Sequence, residues 1–206
     1  MLQSQAIVFY KYAYNYLLLN IIMAKHYSKF TNDYTKIYYK GKLLSAGLEN
    51  YSRDPLERIN VIPINFEGKT VLDLGCNCGG TLFAVADKIK QGHGNDINPD
   101  AIRYANDVAE KHKIHNVRFS VADLSKWKEY DLPKTDVVFA LAIAKWVQPW
   151  RDIITHLNPT ELVFETHGKR NMQPEQIAWL KDNYSHVELL LEGYEKGKRK
   201  LFYCSK

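Results

Sequence analysis

The ten residues Val71-Leu72-Asp73-Leu74-Gly75-Cys76-Asn77-Cys78-Gly79-Gly80 constrain this chain more than any other stretch. Thr70–Leu74 is a short apolar run without a polar face, which reads as a central strand. It passes straight into a glycine-bearing turn and then into a helix. Glycine lets the backbone bend sharply and approach a ligand with no Cβ in the way. The N–H groups at the start of the helix after the turn are unpaired and point at whatever sits there. In an open α/β sheet, such a junction is where nucleotide-like ligands bind.

From Asn65 onward the pattern alternates between strand and helix, which predicts a mostly parallel sheet wrapped by helices. A helix is expected from Gly80 to about Lys90, with Leu82, Val85, Ala86 and Ile89 on one stripe. The second strand, Gly92 to Ile97, is poor in apolar residues. Its C-terminal neighbours place it, because Asn98 is a good N-cap and Pro99 a good first residue for a helix to about Lys113. Further strands are expected over Val117–Asp123, Asp136–Leu141 and Glu161–Glu165, with helices over Trp150–Leu157 and from Pro174. Val187–Leu191 and Lys200–Cys204 are separated by too short a link for a crossover helix, so they should pair antiparallel. The expected sheet has seven strands and closes on a C-terminal antiparallel hairpin.

At 206 residues the chain suits one domain with a real core, here residues 61–206, preceded by a 1–60 extension. Its net charge of +5 is compatible with a phosphate-bearing partner without requiring one. Two of the 3 cysteines sit in the turn itself, as Cys76 and Cys78. That is no disulfide framework, and it fits a reducing, cytoplasmic compartment. No set of ligands at zinc spacing occurs, so no metal is expected. The cysteines read as small residues filling a tight turn.

The apolar stretch Ile7 to Ala24 is about long enough to span a bilayer, but Lys11, Asn15, Asn20 and several tyrosines interrupt it. A clean membrane span is therefore not expected, nor is a secretory signal, because no basic start precedes the apolar run. Either the segment packs as an amphipathic helix on the domain or a partner, or residues 1–22 lie upstream of a working start at Met23. The tyrosines Tyr38, Tyr39 and Tyr51 suggest that this helical extension serves as a lid.

The spacing of Gly75, Gly79 and Gly80 is wrong for the dinucleotide fingerprint G-x-G-x-x-G, which argues against an NAD-dependent oxidoreductase. Asp73 ends the first strand, where a carboxylate suits an amino-bearing ligand better than a pyrophosphate. Asp96 ends the second strand, where it can accept ribose hydroxyls. Asp123 ends the third, within reach of an adenine amino group. Carboxylates at the ends of neighbouring strands describe a nucleoside site without phosphates.

In order and spacing, VLDLGCNCGG, NDINPDAIRYA, NVRFSVADL and DVVFALAIAKWV resemble the motifs of the class I S-adenosylmethionine-dependent methyltransferases. The resemblance implies an α/β Rossmann-like three-layer sandwich and S-adenosylmethionine as cofactor. It implies that Asp73, Gly75 and Gly79 line the methionine end, with Cys76 and Asn77 of the same turn also binding the cofactor. Asp96 and Ile97 would hold the ribose and adjoin the adenine, Asp123 and Leu124 would border the adenine, and Ala140 to Ala142 would floor the site. Where that family often has glycine, this chain has Asn77, which tolerates positive φ better than most residues.

The cofactor supplies the driving force for methyl transfer, and the protein mainly positions the acceptor and tunes its protonation. Candidates lie where the fourth and fifth strands open: Lys145 and Trp146 for substrate contact, Glu165 and His167 for catalysis. His167 titrates nearest neutrality and suits a general base. Trp146 and Trp150 suit stacking on a planar substrate. A narrower set, Tyr51-Ser52-Arg53 with Arg58, FEGKTVLDLGCN and Ala144-Lys145-Trp146-Val147, resembles pieces of the Bin3-type RNA 5′-phosphate methyltransferases. That group continues its KWV phrase with a histidine and an asparagine-tryptophan pair, where this chain has Gln148-Pro149-Trp150. RNA, another phosphate-bearing substrate and a small molecule all stay open as acceptors. So does a regulatory module that holds the cofactor without transferring its methyl group.

Overall fold

The computed structural model describes residues 35–46, 54–168, 170–194 and 199–206. The stretch 1–22, Met23, Tyr51, Ser52 and Arg53 lie outside the described residues, as do Lys169 and residues 195–198 of the final turn.

The main sheet has seven strands: β3 (Thr70–Leu74), β4 (Gln91–Asp96), β5 (Val117–Val121), β6 (Val137–Leu141), β7 (Glu161–Glu165), β8 (His186–Tyr194) and β9 (Arg199–Ser205). Their order across the sheet is β5-β4-β3-β6-β7-β9-β8. The first five run parallel, and β9 is antiparallel to both β7 and β8. The chain thus builds outward from β3 to β5, then returns to place β6 on the other side of β3. That reversal opens a crevice at the C-terminal ends of β3 and β6.

Side chains alternate across the strands, so successive residues feed opposite layers. Val71, Val137, Phe139 and Val163 pack into one core with helices α2 (Gly80–Val85) and α3 (Pro99–Lys111). Leu72, Val138, Leu162 and Phe164 pack into the other with α4 (Trp150–Leu157) and α5 (Gln173–Asn183). Asp73, two residues on from Val71, is the polar break in this run and is only 2% exposed.

Two expectations change in detail. The helix after the turn ends at Val85 instead of continuing to Lys90, because the Ala86 amide turns back to the Phe83 carbonyl and closes the last turn tightly. The described part of the 1–60 extension is not simply helical. It contains a small hairpin, β1 (Ile37–Tyr39) with β2 (Lys42–Ser45), and a short helix α1 (Pro55–Ile59). Ile37 is fully buried in the first core, so the hairpin is anchored to the domain.

Candidate functional site

A cavity of about 440 Å³ opens at the crevice between β3 and β6, within the usual range for small-molecule sites. Its walls come from the ends of β3, β4 and β6, the loop after β5, the start of α2, α1, and the start of β9.

The turn after β3 forms the inner wall. Gly75 has φ +72°, and a Cβ on it would stand 2.9 Å from Ile143 Cγ2 on the adjoining wall. Only glycine gives the chain both that conformation and that clearance. Asn77 adopts φ +50°, and its own Oδ1 accepts the Cys78 amide at 2.8 Å. The asparagine therefore serves the turn in place of a glycine, stabilising a left-handed residue through its side chain. Cys76 and Cys78 are buried and reduced. Burial pushes the Cys78 thiol up to about 12 and Cys76 well above its ordinary range, so neither is poised as a nucleophile.

Asp96 joins the turn to the second strand. Its Oδ2 accepts the Asn77 amide at 2.8 Å and its Oδ1 the Asn98 amide at 2.9 Å. Each carboxylate oxygen has a second lone pair for a ligand hydroxyl. Asn98 in turn caps α3, accepting the Asp100 amide at 3.0 Å, with Pro99 in the first helical turn. Ile97 lines the cavity and is 65% exposed, an apolar face offered to a flat ring. Asp123 and Leu124 also line it. Asp123 Oδ1 accepts from the Ser125 amide at 3.0 Å and hydroxyl at 2.6 Å, and those bonds hold its carboxyl below the usual range.

Asp73 lies at the closed end. Burial raises its carboxyl from 3.8 to about 7, with Arg58 opposing the shift and Asp96 adding to it. Among the described residues no hydrogen-bond donor is paired with Asp73, so a ligand ammonium group would satisfy it.

Arg58 belongs to a motif in the sequence but carries no separate signal there as a site residue. Its guanidinium reaches the cavity from α1 and pairs with Glu165 at 2.5 Å. Arg199, from β9, pairs with the other Glu165 oxygen at 3.0 Å and sends Nη2 to within 3.4 Å of His167 Nε2. Because a guanidinium only donates, that His167 nitrogen is the acceptor. The His167 backbone is clamped by Gln176, whose Oε1 accepts its amide at 3.0 Å and whose Nε2 donates to its carbonyl at 2.6 Å.

The sequence candidates separate accordingly. Asp73, Gly75, Cys76, Asn77, Asp96, Ile97, Asp123, Leu124, Trp146 and His167 line one cavity. Gly79 stands behind the wall, where a Cβ would strike the Phe119 ring at 2.5 Å, and Gly80 takes its place on the lining. Ala140 is wholly buried in the second core, and Leu141, Ala142 and Ile143 form the floor instead. Ala142 does so at φ +58°, with its amide bonded to the Glu165 carbonyl at 3.1 Å. Glu165 is 1% exposed between two arginines and is not on the cavity lining. Trp150 packs in the core against Phe164 and Trp179 and is no stacking platform. Trp146 is 69% exposed, stands edge-on to His167, and carries the Lys145 ammonium 4.2 Å over its ring. Val147, from the KWV phrase, and Thr35, Thr81, Ala122 and Ser125 complete the lining, and the last four have no signal in the sequence beyond their neighbours.

Among the described residues, no group of three or more His, Cys, Asp or Glu side chains could hold a metal ion. No described helix is long and apolar enough to cross a membrane.

A family model described as "Methyltransferase domain" matches residues 65–198. Phosphoethanolamine N-methyltransferase 1 of Arabidopsis thaliana is 29% identical over 137 residues, covering 66% of this chain and 24% of that protein. The U6 snRNA methylphosphate capping enzyme Amus of Drosophila melanogaster is 26% identical over 183 residues, covering 74% of this chain and 59% of that one. The chain thus spans 24% of the length of the first relative and 59% of the second, less than two thirds of either. Among solved structures, the N-terminal domain of EvdMO1 with SAH and D-fucose superposes with a TM-score of 0.64 at 16% identity, covering 91% of this chain and 96% of that one. The bifunctional kinase-methyltransferase WbdD gives 0.60 at 18% identity, covering 74% of this chain and 40% of that one. These two likenesses show the fold.

Proposed function

This chain belongs to the methyltransferase domain family, and we propose that its cavity binds S-adenosylmethionine and presents the methyl group to a phosphate-bearing acceptor. The observation that carries the cofactor assignment is the pairing of a buried, unsatisfied Asp73 at one end with Asp96 and Ile97 at the other. The first suits an ammonium, the second a vicinal diol beside an aromatic base. Asp73 and Arg58 would hold the amino and carboxylate groups of the methionine arm. Asp96 would accept the ribose hydroxyls, and Ile97, Asp123 and Leu124 would enclose the adenine. When bound, the cofactor supplies an activated methyl group on a sulfonium.

The remaining work falls to this chain's acceptor side, which is the rim formed by Trp146, His167 and Arg199. Arg199 offers a guanidinium fork for an oxyanion. Trp146 offers an exposed aromatic face, with Lys145 over it and Tyr51 as a further proposed contact. His167 Nε2 accepts from Arg199 through its single lone pair, so it takes a proton from an attacking hydroxyl or amine once the Arg199 guanidinium turns to the acceptor's oxyanion. The relatives named for phosphoethanolamine and for a methylphosphate RNA cap support a phosphate on the acceptor. The hairpin and α1 act as the lid of the extension, in the cytoplasm.

The test is transfer of tritiated methyl from S-adenosylmethionine to a 5′-phosphorylated oligoribonucleotide, to the same oligomer without phosphate, and to phosphoethanolamine. Labelling confined to a phosphate-bearing acceptor supports the assignment. Absence of label in the protein, RNA and small-molecule fractions of a cell extract would instead favour a module that binds the cofactor without transferring methyl.

A further inference from the structure

The wall that carries Arg58 is fastened from outside the cavity. Asp54 precedes α1 and uses its two oxygens for different elements. Oδ1 accepts the Leu56 amide at 3.0 Å, capping the helix. Oδ2 accepts the Tyr38 hydroxyl at 3.0 Å and the Lys36 ammonium at 3.1 Å, both from the β1 strand and its lead-in. Burial alone would raise the Asp54 carboxyl, but the bonds from Lys36, Leu56 and Tyr38 outweigh it and hold it below the usual range.

Helix α1 needs such a tie. It has 5 residues, and helices shorter than ~12 residues do not hold their shape or place without tertiary contacts. Its Arg58 is nevertheless aimed into the cavity and onto Glu165. The hairpin to which Asp54 ties it is itself fixed. Ile37 is buried between the two latch residues, and the Thr35 side chain and Lys36 carbonyl press on Gly80, where a Cβ would stand 2.7–2.9 Å from them. Thr35 and Gly80 both line the cavity. One connected unit therefore runs from the start of α2, through the hairpin and Asp54, to the Arg58 guanidinium.

We propose that Asp54 is a positioning residue for the cofactor: it fastens α1 to the β1–β2 hairpin and so sets Arg58 against the amino-acid arm. The proposal rests on the methyltransferase reading and adds to it an outer latch that touches neither cofactor nor acceptor. The latch acts on one end of the ligand only, since the adenosine contacts come from β4, β5 and their loops.

Two variants isolate the latch. Lys36→Met/Tyr38→Phe removes its partners and leaves the Asp54 cap on α1. Asp54→Ser keeps a capping oxygen and shortens the reach to the hairpin. Binding is measured by calorimetry with S-adenosylhomocysteine, which has the amino-acid arm, and with 5′-methylthioadenosine, which lacks it. Loss of a positioned charged hydrogen bond corresponds to about a tenfold weaker affinity for S-adenosylhomocysteine in both variants. Affinity for 5′-methylthioadenosine should stay at the wild-type value, and Arg58→Met should show the same selectivity. Equal weakening toward both ligands, or no weakening toward either, overturns the latch, and melting temperatures show whether general loosening is the reason. If the wild-type protein binds neither nucleoside, the methyltransferase reading falls and takes the latch with it.

Discussion

Arg58 and Glu165 meet at 2.5 Å behind the cavity, with side chains 7% and 1% exposed, although they lie on opposite sides of the chain's first parallel strand in sequence. Arg199 takes the other carboxylate oxygen from the last strand of the sheet. One buried carboxylate therefore orients two guanidiniums, one toward the cofactor arm and one toward the acceptor rim. Glu165 is thereby placed as a buttress for both arginines.

Glu165→Gln should accordingly destabilise the fold, because it leaves two buried guanidiniums against a neutral amide. Breaking a buried pair on one side costs about 3 kcal/mol or more. For a chain of this size that corresponds to a fall of roughly 6–12 °C in Tm, read by thermal denaturation. A variant with unchanged Tm and no turnover would return Glu165 to the role of catalytic base.

Asp73 should give the fold a pH dependence of unusual sign. Its folded pKa of about 7 lies above the 3.8 of an ordinary carboxyl, so between those values the native state holds a proton that the unfolded chain has lost. Stability from this group is therefore present at low pH and is lost as pH rises through that window, by roughly 4 kcal/mol at full titration. Asp73→Asn should melt like the wild type near pH 4 and above it at pH 8, while binding S-adenosylhomocysteine more weakly at pH 8. A Tm difference that does not grow with pH would contradict the buried carboxyl.

Asp96→Ala should weaken S-adenosylhomocysteine binding by about 1–3 kcal/mol through loss of the ribose hydrogen bonds. It should also loosen the turn, since the Asn77 and Asn98 amides lose their acceptor. Calorimetry showing unchanged affinity would remove Asp96 from the site.

His167→Asn should lower turnover while leaving cofactor affinity and Tm near wild type, because Gln176 holds the backbone and not the ring. An unaltered rate with a phosphate-bearing acceptor would exclude His167 as the base.

Much of this arrangement is legible in the sequence where local rules decide it. Strand β6 is an unbroken apolar run, β3 and β7 are apolar runs interrupted or bounded by acidic residues, and β4, with Gly92, His93 and Gly94 in place of such a run, is still located by the Asn98-Pro99 helix start. The strand-end aspartates are fixed by that placement, as is Asn77 at a positive φ. The hidden part depends on contacts distant in sequence. Nothing near Glu165 announces that arginines 107 residues before and 34 after it will converge on its carboxylate. Ala140 and Ala142 differ by the end of a strand: the first completes the alternation into the core, and the second bends out to the cavity floor. The hairpin at Ile37–Ser45 escapes the sequence reading because its aromatic residues fit a helix stripe as readily as a strand.

The central claim is that one cavity holds the adenosyl cofactor with its amino-acid arm on Asp73 and Arg58. A crystal structure with S-adenosylhomocysteine measures this most directly. It should show the ribose on Asp96, the adenine between Ile97 and Leu124, the ammonium on Asp73, and the sulfur facing Trp146 and His167. A ligand bound outside this cavity, or reversed within it, would contradict the account.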